Sequence, residues 1–252
     1  NYFCMEIEPH IKPYSDSLNK KLLDSPFVKQ LDQSLYFPYL RSVAKEIKLF
    51  QEKNIELHAA LNMLAQQYGS ISGKMSVTVG EAEYTMQQAA KFLMQSDRQL
   101  REEVYHKMNE RRLQDRAELN KLFDELISKR QQVAVNAGFA NYRDYKFEEL
   151  GRFDYSVSDC ENFHEAIRTY ITPIVEQLYE HKRKQLGLIE LKPYDVDAEP
   201  AGQKPLEPFK TGQELLEKSI SAFSNLRPYF GECLKAMHAL GRFDLESRKG
   251  KA

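Results

Sequence analysis

The stretch SDRQLREEVYHKMNERRLQDRAELNKLFDELISKRQQVAVNA, residues 96–137, decides how the rest of the chain is read. Leu100, Val104, Met108, Leu119, Leu122, Leu126 and Val133 recur at helical spacings among charged residues, the pattern of an amphipathic helix with one buried stripe. Gly138 follows as a C′ stop, because glycine enters the left-handed conformation that ends helices without a Cβ penalty. The spacing therefore predicts one long helix over 96–137 and a mainly α fold.

Working upstream, KMSVTVGEAEYTM carries the one clear β signal. Met75, Val77 and Val79 alternate, and Gly80 supplies a turn, so two short strands in a hairpin are expected. Before it, a helix is expected over about 56–68, broken at Gly69. Asp24, Ser25 and Pro26 read as a start signal for a helix over 27–53, with Phe27, Leu31, Leu35, Val43, Ile47 and Phe50 on one face and a kink at Pro38.

Downstream, Ser158 and Glu161 read as a capping box for a helix over 159–185. Its Phe163, Ile167, Ile171, Ile174 and Leu178 are expected to face the core, and Pro173 to bend it. Pro193, Pro200, Pro205 and Pro208 punctuate a connector, after which Thr211 and Glu214 cap a last helical region reaching Leu240.

Composition narrows the function classes. Thirty-six basic against 37 acidic residues give a formal charge of −1, so no global field recruits nucleic acid or an anionic membrane. The basic run HKRKQ, residues 181–185, reads as a solvated helix end answering the helix dipole. Cys4, Cys160 and Cys233 are too few and too far apart for a disulfide framework or a C-x-x-C zinc cluster, which points to a reducing cytoplasm. No apolar run reaches the roughly 18 residues of a membrane span, and the start of the chain lacks the basic and apolar regions of a signal peptide.

Two motifs invite metal chemistry. HEAIR, residues 164–168, is half of a zinc-peptidase H-E-x-x-H, in which two imidazoles one turn apart grip Zn²⁺ and the glutamate activates its water. Arg168 stands where the second histidine is needed and cannot ligate zinc. None of His10, His58, His106, His164, His181 and His238 stands four residues before another. Glu103 with His106 and Glu161 with His164 form two E-x-x-H units on two expected helices, the spacing of di-iron carboxylate bundles. Around the first unit, however, REEVYHKMNERR is charged on nearly every side, as a solvated helix is.

Taken in order, four stretches resemble oligoendopeptidase F, a bacterial relative of thimet oligopeptidase. They are ISGKMSVTVGEAEYTMQQAAKFLMQSDRQLREEVYHKMNERR (71–112), LISKRQQVAVNAGFANYRDYKFEELGRFDYS (126–156), LGLIELKPYDVD (186–197) and GRFDLESRKGKA (241–252). The resemblance runs from about residue 71 to the end, and the part before it fits only by its helical character. It implies a two-lobed helical metallopeptidase fold around a deep channel, zinc on the channel floor, and hydrolysis of peptides short enough to enter.

In this family the zinc helix carries H-E-x-G-H and a later glutamate is the third ligand, all after the segment resembling DLESRKGKA. The resemblance therefore implies zinc as cofactor of the full-length protein and none in this chain. It also implies short peptides as substrates, the C-terminal half of the same protein as partner, and no catalytic or metal-ligating residue here. It divides the chain into an N-terminal helical region (1–70), a hairpin and long-helix region (71–188), and a connector with the start of the catalytic region (189–252). Tyr194 and Asp195 in LKPYDVD stand as candidate channel residues, against a plain turn formed by Pro193 and Asp195. Arg248 and Lys249 read as approaching a peptide carboxylate or as solvated charges. A non-catalytic helical peptide-binding protein stays open as the rival function.

Overall fold

A computed structural model describes residues 2–200, 203 and 205–250. Asn1, Lys251 and Ala252, the last two ending the fourth resembling stretch, lie outside the described residues, as do Ala201, Gly202 and Lys204 in the connector. The fold is mainly α with one small sheet, as expected. In chain order it runs α1 (Glu8–Asp24), α2 (Gln33–Leu49), α3 (Ile55–Gly73), β1 (Ser76–Val79), β2 (Ala82–Thr85), α4 (Met86–Ala90), α5 (Arg98–Gln114) and α6 (Arg116–Asn136). It continues with α7 (Tyr142–Glu149), α8 (Val157–Ala166), α9 (Thr172–Gln185), α10 (Gly212–Leu226) and α11 (Pro228–Ala239). No described helix is long and apolar enough to cross a membrane.

The chain groups into two compact units, each drawn from two separated stretches: residues 1–71 with 115–175, and residues 72–114 with 176–252. In the first, Leu49 of α2, Val133 and Ala134 of α6 and Tyr145 of α7 form one buried cluster, and Leu64 of α3 with Leu122 and Leu126 of α6 another. Buried Asn54 stitches α3's start to α6: its side-chain amide donates to the Val133 carbonyl at 3.0 Å, and its oxygen accepts from Asn136 at 2.7 Å. Satisfying both ends is what makes a buried amide tolerable.

In the second unit the hairpin packs on α5. Val77 and Val79 share a core with Ala89, Val104 and Met108, and the strands pair from Ser76 with Thr85 to Val79 with Ala82. The two-residue loop has positive φ at Gly80 (+61°) and not at Glu81, the pattern of a type II′ turn, which matches the twist of paired strands. Thr85 then opens α4 with a capping box: its hydroxyl accepts from Gln88 N at 3.2 Å while Gln88 Oε1 accepts from Thr85 N at 2.9 Å.

Several boundaries differ from the sequence expectations. The 96–137 helix is two helices, interrupted at the single residue Asp115, where the chain also passes from one unit to the other. The stripe itself holds, with Val104 and Met108 buried in one unit and Leu122, Leu126 and Val133 in the other. Gly138 ends α6 as expected, in a Schellman motif with Phe139 N donating to Ala134 O and Gly138 N to Val135 O.

Ser25 and Pro26 start only a 3₁₀ turn (Pro26–Gln30). Leu31 and Asp32 are extended, and the Asp32 carboxylate, accepting from Ser34 N at 2.9 Å, starts α2 afresh. Gly69 does not break α3, because one glycine costs a helix only about 1 kcal/mol and Ile71 beyond it packs against the Leu64 cluster. The capping box of α8 is made by Ser156 and Asp159, two residues earlier than expected, since Ser156 rather than Ser158 has the extended backbone of an N-cap.

Pro173 sits at the start of α9, just after a π-helical turn (Ile167–Ile171) that gives Thr172 N the Ile167 carbonyl. The expected core-facing stripe of this helix is not buried: Phe163, Ile167, Ile171, Ile174 and Leu178 are all exposed. Thr211 caps α10 as expected, through Glu214 N at 3.1 Å. The last helical region is divided at Arg227, whose extended backbone the following Pro228 enforces.

Candidate functional site

The most organised polar cluster lies in the second unit, where the connector meets the start of α5. Asp97 opens α5 by accepting from the backbone N–H groups of Gln99 (2.9 Å) and Leu100 (3.2 Å), which leaves Arg98 and Arg101 one helical turn apart at the helix entrance. Opposite them Pro193–Asp195 is a 3₁₀ turn, so the turn chemistry of Pro193 and Asp195 is realised.

Asp195 is fully buried and its carboxylate is saturated. Oδ1 accepts from Arg101 Nη2 at 2.7 Å and Arg98 Nε at 3.1 Å; Oδ2 accepts from Arg98 Nη2 at 2.9 Å and from its own turn's Lys192 N at 3.0 Å. Burial opposes the charge, but the hydrogen bonds from Arg98 and Arg101 outweigh it and hold the carboxyl below its ordinary range. Arg101 gives three further donors to the carbonyls of Tyr194 (3.1 Å), Gln95 (2.8 Å) and Ser96 (3.0 Å). A guanidinium forked between a carboxylate and three carbonyls is a clasp, and lysine has no geometry to replace it.

Tyr194 is also buried. Its hydroxyl donates to Glu102 Oε1 at 3.0 Å, and its ring lies under the Arg98 guanidinium and beside Tyr105 and His106. Burial, then the bond to Glu102, raises its pKa, so it stays a neutral donor. Asp195, ionised with its acceptors filled, is fitted to hold backbone in register. It has no free lone pair for proton transfer.

The other singled-out residues are scattered. Glu165 of HEAIR is paired with Arg168, bonding Nε at 2.9 Å on the exposed face of the helix. Glu103 pairs with Lys107 at 2.6 Å, and Glu161 and His164 are exposed. Arg248 grips Asp244 through both Nη atoms, and Lys249 bonds Glu83 at 2.8 Å. Among the described residues no group of three His, Cys, Asp or Glu side chains converges as a metal site. One feature of the first unit has no signal in the sequence: a cavity of about 250 Å³ lined by Glu8, Lys12, Phe50, His58, Tyr145 and Glu149, among others. Its residues come from four helices and a loop, so no local spacing announces it. His58 there has its pKa lowered by burial.

The sequence pattern of Peptidase family M3 matches residues 92–252. No curated protein matches the sequence. Three solved structures align over the whole chain. A Bacillus anthracis str. Ames protein assigned to oligoendopeptidase F has a TM-score of 0.89 at 21% identity, with 46% of its own chain covered. A second protein assigned to oligoendopeptidase F gives 0.91 at 24%, with 44% covered. PZ peptidase A, solved with an inhibitor, gives 0.90 at 24%, with 44% covered. This chain thus spans less than half the length of the structures it matches, all of it within their fold. It belongs to Peptidase family M3, and its fold is that of a portion of the matched structures.

Proposed function

We propose that this chain is the N-terminal part of a zinc-dependent oligoendopeptidase that hydrolyses short peptides inside a deep channel, and that it forms channel wall. The observation that carries the reading is the match of the complete chain to 44–46% of the length of oligoendopeptidase F-like folds, joined to the family match over residues 92–252. The absence of H-E-x-x-H from these 252 residues is consistent with it. The described residues do not assemble a zinc donor set, so the reading assigns the metal and the water-activating glutamate to polypeptide outside this sequence.

Within that reading Tyr194 and Asp195 belong to the wall as its fastening. The buried clasp to Arg98 and Arg101 supports a part in holding the connector on α5 rather than in touching a peptide. Free Cys4, Cys160 and Cys233 agree with a reducing cytoplasm.

The test compares this chain with the full gene product on a mixture of short peptides, with and without a chelator. Cleavage by the full product alone, abolished by chelator, is expected. A zinc-supplied full product that binds peptides and cuts none would favour the non-catalytic binding protein instead.

A further inference from the structure

Two helical runs of the first unit leave apolar stripes in water. On the π-helical turn Phe3–Ile7 and α1 that follows it, Ile7, Ile11, Tyr14 and Leu18 are exposed at spacings of four, three and four. Along α8, the π turn and the start of α9, Phe163 (65% exposed), Ile167 (38%), Ile171 (49%) and Ile174 (51%) form a second stripe. Not one residue of α8, the π turn or α9 is buried. The eleven helical steps from Phe163 to Ile174 cover roughly 16 Å, and a contiguous apolar strip of that length marks a surface built to be covered.

We infer that the face carrying Phe163, Ile167, Ile171 and Ile174 is where the remaining polypeptide of the M3 peptidase packs its own apolar side chains; this rests on the reading of the chain as part of that peptidase. Three observations select this occupant and this face. The matched structures are more than twice as long as this chain, so over half of the fold is available to pack against it. The family match begins at residue 92, so it includes α8 and α9 and leaves out α1. Glu165 and Arg168, on the same helical run, are bonded to each other, and Glu165 also accepts from Thr169, so this pair offers a partner no spare charge and the stripe offers apolar contact. Packing against an apolar surface of the same chain needs no further charge complement.

The π turn suits this role. It gives Thr172 N a partner in the Ile167 carbonyl just ahead of Pro173, which has no N–H to donate, so the helix continues into α9 and carries the stripe on to Ile174.

The test is thiol accessibility in the full gene product, in a background carrying Cys4→Ser, Cys160→Ser and Cys233→Ser. Ile171→Cys and Ile174→Cys are made separately, and each is labelled with a maleimide both folded and in urea, the unfolded chain serving as the exposed reference, while chelator-sensitive peptide cleavage is followed on the folded preparations. Thiols introduced at 171 and 174 are expected to react at least about tenfold more slowly in the folded protein than in urea, because labelling must then wait for local opening. Labelling as fast in the folded protein as in urea, in an enzyme that still cleaves peptides, would overturn the inference and leave the peptidase reading intact. Protection without cleavage would uphold the covered face and sink the peptidase reading. Protection lost when the protein is diluted to a monomer would overturn the inference in favour of a second copy of the chain, and a gene product with no polypeptide beyond these residues would overturn it outright.

Discussion

The α5 and α6 pair and the α8 and α9 pair carry the same kind of sequence pattern and meet opposite fates. Leu100 to Val133 and Phe163 to Leu178 are both apolar stripes at helical spacing, each interrupted once, by Asp115 or by the π turn. In the first pair the stripe is buried on both sides of the break, in the hairpin core and in the α2, α3 and α7 clusters. In the second it is exposed from end to end. Periodicity tells which face of a helix wants an apolar neighbour; it carries no information on whether that neighbour is present in the same stretch of chain.

The largest expected effect lies where α5 is held by charge as well as by packing. Asp195→Ala leaves Arg101, almost fully buried, and Arg98 without their carboxylate, and removing one partner of a buried ion pair costs about 3–5 kcal/mol. Urea unfolding of this chain measures it, and a loss near zero would mean that the clasp is not formed. The sign of the pH dependence follows from the same bonds. Because the folded Asp195 carboxyl is held below its ordinary value, its contribution is present above the unfolded pKa of about 3.9 and disappears as pH falls through the lower folded value. Asp195→Asn should therefore reduce stability at neutral pH and flatten the acid limb below about pH 4.

Packing gives the next effect. Met108 fills the space between α5 and the hairpin beside Val77, Val79 and Val104, so Met108→Ala should cost about 2–5 kcal/mol through lost transfer energy and the cavity left behind. A cost under about 1 kcal/mol, typical of an average site, would show that the hairpin does not sit on α5 as described.

What the sequence made legible divides along the same line. The α5 and α6 stripe, the hairpin with its Gly80 turn and the Gly138 stop were readable because each is decided by residues within a few positions of one another. The break at Asp115 was not, since NERRLQDRAEL is mostly good helix formers and a single aspartate, although a weak helix former, is routinely carried inside helices; the break falls where the chain changes units. Nor was the capping shift from Ser158 to Ser156, because SVSDCE offers two serines with an acid three residues on and only the backbone path chooses. Of the candidate site, Tyr194 and Asp195 were visible as turn formers and their link to Arg98 and Arg101, over 90 residues away in sequence, was not. The cavity around His58 is a product of tertiary assembly alone.

The smallest expected effect is on α9. Ile174 is about half exposed and belongs to a helix in which nothing is buried, so shortening it removes little contact from this chain. Ile174→Ala should leave the urea midpoint of the 252-residue chain within about 0.5 kcal/mol of the parent, the range of ordinary surface substitutions. Alanine is also the better helix former by a few tenths of a kcal/mol, which pushes the balance toward neutrality or slight gain. Set beside Met108→Ala, the measurement compares two apolar side chains on two amphipathic helices and isolates whether the stripe has a neighbour. If Ile174→Ala instead costs as much as Met108→Ala, the α8 and α9 face is already packed within this chain, and the contrast between the two helix pairs disappears.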